Sequence, residues 1–184
     1  MNKELEIYSE RLLMRPLAKE DWMLFETLHR TPSIIAQCFD PPTNKELQQK
    51  FAARLGSWNN CTSMPLCLCV LTQDGQKIGI LGYSLNEKQV REIGYLYLPE
   101  FHGKGYASEA LNALIRWCEK EIKVTEFAAV VSEGNVGSMK VLERAGFTLM
   151  SIEKEAFQIG GEKITDYYFS YQKAEGVSSD GLWR

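Results

Sequence analysis

A short glycine loop is the first segment whose residue types could bind a ligand. Residues 99–107 read PEFHGKGYA, and Gly103 and Gly105 lie between an apolar segment and an amphipathic one. Glycines let backbone amides approach a ligand closely, and the start of a helix adds unpaired N–H groups with a partial positive charge. These properties suit a pyrophosphate. Two glycines could also simply turn a strand into a helix, and the loop matches neither Gly-x-x-x-x-Gly-Lys-Ser/Thr nor Gly-x-Gly-x-x-Gly.

A second polar segment follows about thirty residues later, at residues 135–147, which read NVGSMKVLERAGF. Asn135 and Ser138 stand at the start of a predicted helix, which Gly146 ends. Each could be an ordinary helix-capping residue, and each could also contact a ligand. The order and spacing of this segment and the glycine loop are more informative than either segment alone.

The two segments together resemble the GNAT acetyltransferases, in which a glycine loop holds the coenzyme pyrophosphate and Asn-x-x-Ser-x-x-x-Leu-x-x-x-Gly-Phe lines the pantetheine arm. The opening residues 10–17 (ERLLMRPL) and Glu20-Asp21 resemble the branch that includes ribosomal-protein N-terminal (alanine/serine) acetyltransferases. The resemblance covers nearly the whole chain. It implies an acyltransferase with acetyl-CoA as cosubstrate, no metal, and an amine acceptor. The resemblance to this branch favours a peptide or protein N-terminal α-amine as the acceptor, which includes the N-terminus of a ribosomal protein.

The resemblance also implies a set of coenzyme-binding residues. The usual loop pattern is Gln/Arg-x-x-Gly-x-Gly/Ala, so Gly105 and Ala107 match while His102 stands in place of Gln or Arg. A backbone N–H near Leu96 would stabilise the thioester oxygen as it becomes negative. The full set comprises Tyr95, Leu96, Tyr97, His102, Gly103, Lys104, Gly105, Tyr106, Ala107, Ser108, Asn135 and Ser138.

Acetyl transfer needs a neutral amine, and Glu92 is the predicted base. A lysine-like amine with a pKa near 10.4 costs about 4.6 kcal/mol to deprotonate at pH 7, whereas an α-amine near 7.8 costs about 1 kcal/mol. By resemblance, Glu92 lies where relatives place a carboxylate that accepts this proton directly or through water. It could equally be a solvated residue at a strand start, or pair with Arg91.

Ser138 is the predicted group that assists the departing thiolate, because its hydroxyl would lie at a helix start. Several relatives use a tyrosine seven residues after the asparagine, where this chain has Leu142. The resemblance further suggests acceptor contacts for Tyr83, Trp58, Asp166 and Tyr168, although each could instead be a core or surface residue.

The elements that must position these residues are predicted from hydrophobic periodicity. The predicted order is βααβββαβαββ, with Pro32 and Pro41-Pro42 interrupting the pattern. The predicted strands are Leu12–Pro16, Leu66–Leu71, Ile78–Tyr83, Ile93–Leu98, Phe127–Val131 and two around Gly160-Gly161, and the helices begin near Asp21, Thr43, Gly105 and Asn135. The second helix is predicted to run from Thr43, a capping residue three positions before Glu46, toward Leu55.

The predicted fold class is therefore mixed α/β (α+β). The resemblance implies a twisted, mainly antiparallel sheet of about seven strands with about four helices, splayed at the coenzyme site. Residues 1–173 form one predicted domain. Residues 174–184 are predicted to be a loose tail, in which Leu182 and Trp183 could dock on a neighbour.

Composition narrows the functional classes. The 184 residues are 45% hydrophobic and 24% charged, with a formal net charge of -3 and a sequence pI near 5.5, which disfavours a nucleic-acid partner. No signal peptide or membrane span is evident, which predicts a cytoplasmic protein without a membrane partner. The oligomeric state, including a homo-oligomer, stays open.

The five cysteines, namely Cys38, Cys61, Cys67, Cys69 and Cys118, contain no Cys-x-x-Cys pair and are interpreted as free thiols. A metal at Cys67 and Cys69 is the alternative. Three functional alternatives also remain: a small-molecule amine acetyltransferase, a non-catalytic acyl-CoA-binding module, and a nucleotide-phosphate binder.

Overall fold

The computed structural model describes residues 5–55 and 64–173. Trp58, Cys61 and the predicted tail with Leu182 and Trp183 lie outside the described residues. The strands are β1 (Ile7–Tyr8), β2 (Leu12–Pro16), β3 (Leu66–Thr72), β4 (Lys77–Leu85), β5 (Arg91–Tyr97), β6 (Glu126–Ser132), β7 (Thr148–Ile159) and β8 (Glu162–Gln172), and the helices are α1 (Trp22–Arg30), α2 (Pro32–Ile35), α3 (Asn44–Ala52), α4 (Tyr106–Glu121) and α5 (Val136–Arg144).

The strands form one sheet in the order β1-β2-β3-β4-β5-β6-β8-β7, and only β5 and β6 are parallel neighbours. Strand β5 pairs with β4 along its whole length, from Arg91 to Tyr97. It pairs with β6 only at Arg91 and Glu92. The two halves of the sheet therefore separate beyond Glu92, which is the predicted splay.

Local sequence explains how the helices near this gap begin. Gly105 precedes α4 with φ of +81°, a left-handed conformation that side chains rarely adopt. The Asn135 side chain caps α5 by accepting a hydrogen bond from the Ser138 N–H at 3.1 Å. Thr43 and Glu46 form the predicted capping box at the start of α3.

Two hydrophobic cores cover the two faces of the sheet. Helix α4 buries Ala110, Leu111 and Leu114 against one face. Helices α1 to α3 bury Phe25 and Leu47, among others, against the opposite face. The strands on either side of the splay are thus covered on both faces. The gap between β5 and β6 therefore connects one hydrophobic layer to the other.

The predicted elements are present, with three differences. Strand β1 is an eighth strand, and its two residues are too few to show alternation in the sequence. Pro32 was interpreted as an interruption but begins the short helix α2, because proline is tolerated at the first helical position. Helix α3 ends at Ala52, before the predicted Leu55.

Candidate active site

A cleft of about 1090 Å³ opens where β5 and β6 separate. Its walls include residues from both faces of the sheet. We call the part formed by residues 95–108 of the β5–α4 segment and residues 135–138 of α5 the loop side. We call the rest of the cleft the Glu92 side. It is formed by the α1 to α3 region, the face of the sheet that carries Glu92, and the β7–β8 hairpin.

The glycine loop presents unpaired backbone groups to this cleft. Gly103 and Gly105 have φ of +73° and +81°. A Cβ at Gly103 would meet nothing within 4 Å, and one at Gly105 would meet only the Arg11 side chain at 3.5 Å. Glu109 is the first residue of α4 whose N–H is bonded to the loop, at Gly105 O. The N–H groups of residues 103–108 have no acceptor among the described residues, so they fit an anion.

Three side chains stabilise the conformation of this loop. The His102 Nε2–H donates to Tyr97 O at 2.9 Å, which ties the loop to β5. The Arg11 guanidinium donates to Lys104 O at 3.1 Å and lies 4.5 Å from the centre of the Tyr106 ring. Glu109 in turn binds the Arg11 guanidinium at 2.6 Å. Sequence reasoning did not assign Arg11 to the loop, because about ninety residues separate the two.

Ser138 is held from both sides. Its N–H donates to Asn135 Oδ1. Its hydroxyl lies 2.8 Å from the Tyr95 hydroxyl, which is also 3.2 Å from Ser138 O. Burial raises the pKa of Tyr95 to about 12. Tyr95 was predicted to bind the coenzyme, and its side-chain contact between β5 and α5 is a finding of the structure.

Glu92 lies on the opposite face of β5 from Tyr95. Its Cα pairs with Ser84 of β4 and Ala128 of β6, at the last point where β5 and β6 are joined. Burial raises the pKa of the Glu92 carboxyl, although a hydrogen bond from Asn86 opposes this effect. A half-buried carboxylate with a raised pKa is a stronger proton acceptor than an exposed one.

The neighbouring Arg91 points to the other face, where its guanidinium lies 5.4 Å from the centre of the Tyr83 ring. Tyr83 itself is buried against Phe127 on the α4 side. This placement puts Tyr83 on the face opposite Glu92, although Tyr83 also lines the cleft, and its acceptor contact stays a prediction. Asp166 and Tyr168 pair with Ser132 and Val130 on the Glu92 face, and Asp166 lines the cleft; their acceptor contacts stay predictions.

The Glu92 side also contains polar groups from α1 to α3. His29, Ser33, Gln37 and Arg54 line the cleft there. Burial lowers the pKa of His29 to about 4, so its ring is neutral at pH 7. Asp166 is 9% exposed and accepts a hydrogen bond from the Ser132 hydroxyl at 2.9 Å.

The tip of the β7–β8 hairpin reaches across to the helices. The Gly160 N–H donates to Asp40 Oδ1 at 2.7 Å, and Phe157 from the same hairpin lines the cleft. Residues 120 positions apart in sequence therefore meet over the Glu92 side.

The structure brings nearly all predicted site residues to one cleft. Both Glu92 and Ser138 line it, as do the predicted coenzyme-binding residues other than Lys104, which is exposed with its Nζ 5.3 Å from the Phe101 ring centre. The alternative of a metal at Cys67 and Cys69 gains no support, because both thiols are buried and burial raises their pKa to about 11 and about 12. Residues 5–55 and 64–173 contain no group of three or more metal-ligating side chains.

No helix within the described ranges is long and apolar enough to cross a membrane.

Comparison with known proteins agrees with this geometry. The sequence model of the acetyltransferase (GNAT) domain matches residues 11–148. The uncharacterized N-acetyltransferase YnaD of Bacillus subtilis is 25% identical over 173 residues, covering 93% of this chain and 99% of that protein. The putative ribosomal N-acetyltransferase YdaF of the same organism is 30% identical over 107 residues, covering 57% of this chain and 58% of that protein.

The solved structure of RimL, a ribosomal α-N-protein acetyltransferase in complex with coenzyme A, superimposes with a TM-score of 0.76 at 17% identity. The match covers 91% of this chain and 98% of that one.

Proposed function

We propose that this chain, which belongs to the acetyltransferase (GNAT) family and is an acetyl-CoA-dependent N-acetyltransferase, acetylates the α-amine of a peptide or protein N-terminus. The observation that carries the proposal is the mixed polar lining of the Glu92 side. Glu92 and Asp166 suit one ammonium group, whereas Ser33, Gln37 and Arg54 suit neutral or negative groups that follow it. A peptide N-terminus has this distribution, with one amine followed by carbonyl oxygens.

The loop side would hold acetyl-CoA. The unpaired N–H groups of residues 103–108 would bind the pyrophosphate, and the unpaired edge of β5 at Tyr95, Leu96 and Tyr97 would bind the pantetheine. Asn135 and Ser138 would line the coenzyme near its sulfur. His102 and Lys104 hold the glycine loop in place. The His102 ring donates to Tyr97 O, and the Lys104 carbonyl accepts from Arg11.

The chemistry follows from the two faces of β5. The amine nitrogen attacks the thioester carbonyl carbon, and Glu92 takes the amine proton directly or through water. An N–H near Leu96 stabilises the oxygen of the tetrahedral intermediate. The carbon–sulfur bond then breaks, its electron pair stays on sulfur, and Ser138 donates a hydrogen bond to the thiolate.

An α-amine also suits a site with a single carboxylate base. Its deprotonation at pH 7 costs about 1 kcal/mol, against about 4.6 kcal/mol for a lysine side chain. The similarity to YdaF and the fold shared with RimL, both named as ribosomal acetyltransferases, support the same acceptor class.

Two measurements test the proposal. Saturating coenzyme A, at about 100 times its Kd, should stabilise the folded protein by about 2.7 kcal/mol because the ligand binds only the native loop. No thermal shift would contradict coenzyme binding. A screen of peptides and small amines by coenzyme A release, with mass spectrometry of the product, should show acetylation at peptide N-termini. Preferential acetylation of small amines would replace the proposed acceptor class.

A further inference from the structure

The contact between Tyr95 and Ser138 joins the two walls of the loop side. Tyr95 belongs to β5 and Ser138 to the first turn of α5, and their hydroxyl oxygens lie 2.8 Å apart. We infer that Tyr95 is a positioning residue for thiolate departure: its O–H donates to Ser138 Oγ, which frees the Ser138 O–H to point at the coenzyme sulfur. This inference rests on the proposed function.

Either hydroxyl can donate in the 2.8 Å contact, and the Tyr95 O–H also lies 3.2 Å from Ser138 O; we assign Tyr95 as the donor to Ser138 Oγ. The main chain of Ser138 is fixed by Asn135, which accepts from its N–H at 3.1 Å. Its Oγ is fixed by Tyr95. When Tyr95 is the donor of that bond, the Ser138 proton has to point elsewhere, and both residues line the cleft. The hydroxyl is thus aimed before the coenzyme binds, which lowers the reorganisation that the reaction requires.

The hydrogen bond from Tyr95 to Ser138 strengthens the hydrogen bond that Ser138 donates to the coenzyme sulfur. A hydroxyl that accepts a hydrogen bond becomes a better donor, because successive hydrogen bonds polarise one another. The gain is largest when the carbon–sulfur bond breaks and negative charge collects on sulfur. Tyr95 therefore favours the departing thiolate over the bound thioester.

Tyr95 acts without giving up its proton. Burial raises its pKa to about 12, well above the value of about 8.5 that is usual for a thiol. The phenol consequently stays protonated while the thiolate forms. The amine proton goes to Glu92, the electron pair of the broken bond stays on sulfur, and the thiolate takes its final proton from solvent.

Helix α5 has no other hydroxyl that could serve on this face. One turn after Ser138 the helix has Leu142, which is fully buried and apolar. The neighbouring strand supplies the phenol instead. Sequence spacing could not show this, because Tyr95 and Ser138 are 43 residues apart.

The pKa of the thiol of enzyme-bound coenzyme A tests the inference without any acceptor. It can be titrated by ultraviolet absorbance of the thiolate, with bound desulfo-coenzyme A as the blank. Tyr95→Phe should raise this pKa by about half a unit to one unit, because the donor bond to the thiolate weakens. Tyr171→Phe is the matched control: it removes a hydroxyl that donates to Glu119 at 2.8 Å, away from the cleft lining.

Turnover provides a second readout that distinguishes positioning from packing. Tyr95→Phe should lower kcat about 3- to 10-fold with the coenzyme Kd nearly unchanged, and Tyr95→Phe should have little further effect in a Ser138→Ala background. An unchanged thiol pKa in Tyr95→Phe, or independent effects of the two substitutions, would overturn the inference. Absence of coenzyme binding in the wild type would overturn the proposed function itself.

Discussion

The two sides of the cleft are built from different parts of the chain. The loop side consists mainly of backbone N–H groups from one continuous segment, residues 103–108, together with the start of α5. The Glu92 side consists of side chains from α1 to α3, β5 and β8, which are far apart in sequence. Under the proposed function, the coenzyme common to the family is recognised by a local motif, whereas the acceptor is recognised by a surface that only tertiary packing assembles.

The largest expected effect tests the loop side. Gly105→Asp should weaken coenzyme A binding about 1000-fold, because a carboxylate about 4 Å from a phosphate costs about 4 kcal/mol at an effective dielectric constant of 20. Isothermal titration calorimetry measures this directly. Gly75→Asp is the control: Gly75 has the same φ of +81° in the open β3–β4 turn, so it shares the backbone strain but not the charge near the ligand. Equal affinities in both variants would contradict the loop assignment.

A somewhat smaller effect is expected on the Glu92 side. Glu92→Gln should lower kcat/KM about 100-fold at pH values between the raised pKa of Glu92 and the pKa of the acceptor amine. The coenzyme Kd should stay nearly constant. Below this window the wild-type carboxyl is itself protonated, and above it the amine is already neutral. The ratio of wild-type to variant activity should therefore be largest inside the window.

Stability measurements separate this loss from misfolding. A carboxyl whose pKa is raised by folding destabilises the folded state as pH rises through that pKa, so Glu92→Gln should not lower the melting temperature at pH 7. Glu126→Gln, at an exposed glutamate at the start of β6, is the matched control. A pH-independent activity ratio would indicate that Glu92 is structural.

The smallest expected effect concerns the hairpin that closes the Glu92 side. Asp40→Ala removes the acceptor of the Gly160 N–H and should raise the acceptor KM about 2- to 10-fold, because one exposed hydrogen bond orders the hairpin tip. The coenzyme Kd should not change. Asp74→Ala, which removes an exposed carboxylate in the β3–β4 turn, should change neither quantity. A change of coenzyme affinity in Asp40→Ala would mean that the loop side and the Glu92 side are not independent.

Sequence reasoning succeeded where function depends on short-range pattern. The amphipathic stripe predicted α4, and the two glycines predicted a turn of positive φ just before that helix. It failed where a short element has little pattern of its own, as with β1 and α2. It also could not tell on which face of β4 Tyr83 lies, because that depends on register, which the sheet fixes.

The sequence by itself determined the family, the coenzyme motif and the order of the longer elements, because these depend on residue types at fixed local spacing. The tertiary structure decided which distant side chains meet: Arg11 behind the glycine loop, Tyr95 at Ser138, and Asp40 at Gly160. It also decided that Glu92 lies on the face of β5 opposite Tyr95, the residue that contacts Ser138. Hydrophobic burial drives the chain to pack, but only the completed sheet register and helix packing set these contacts over 43 to 120 residues.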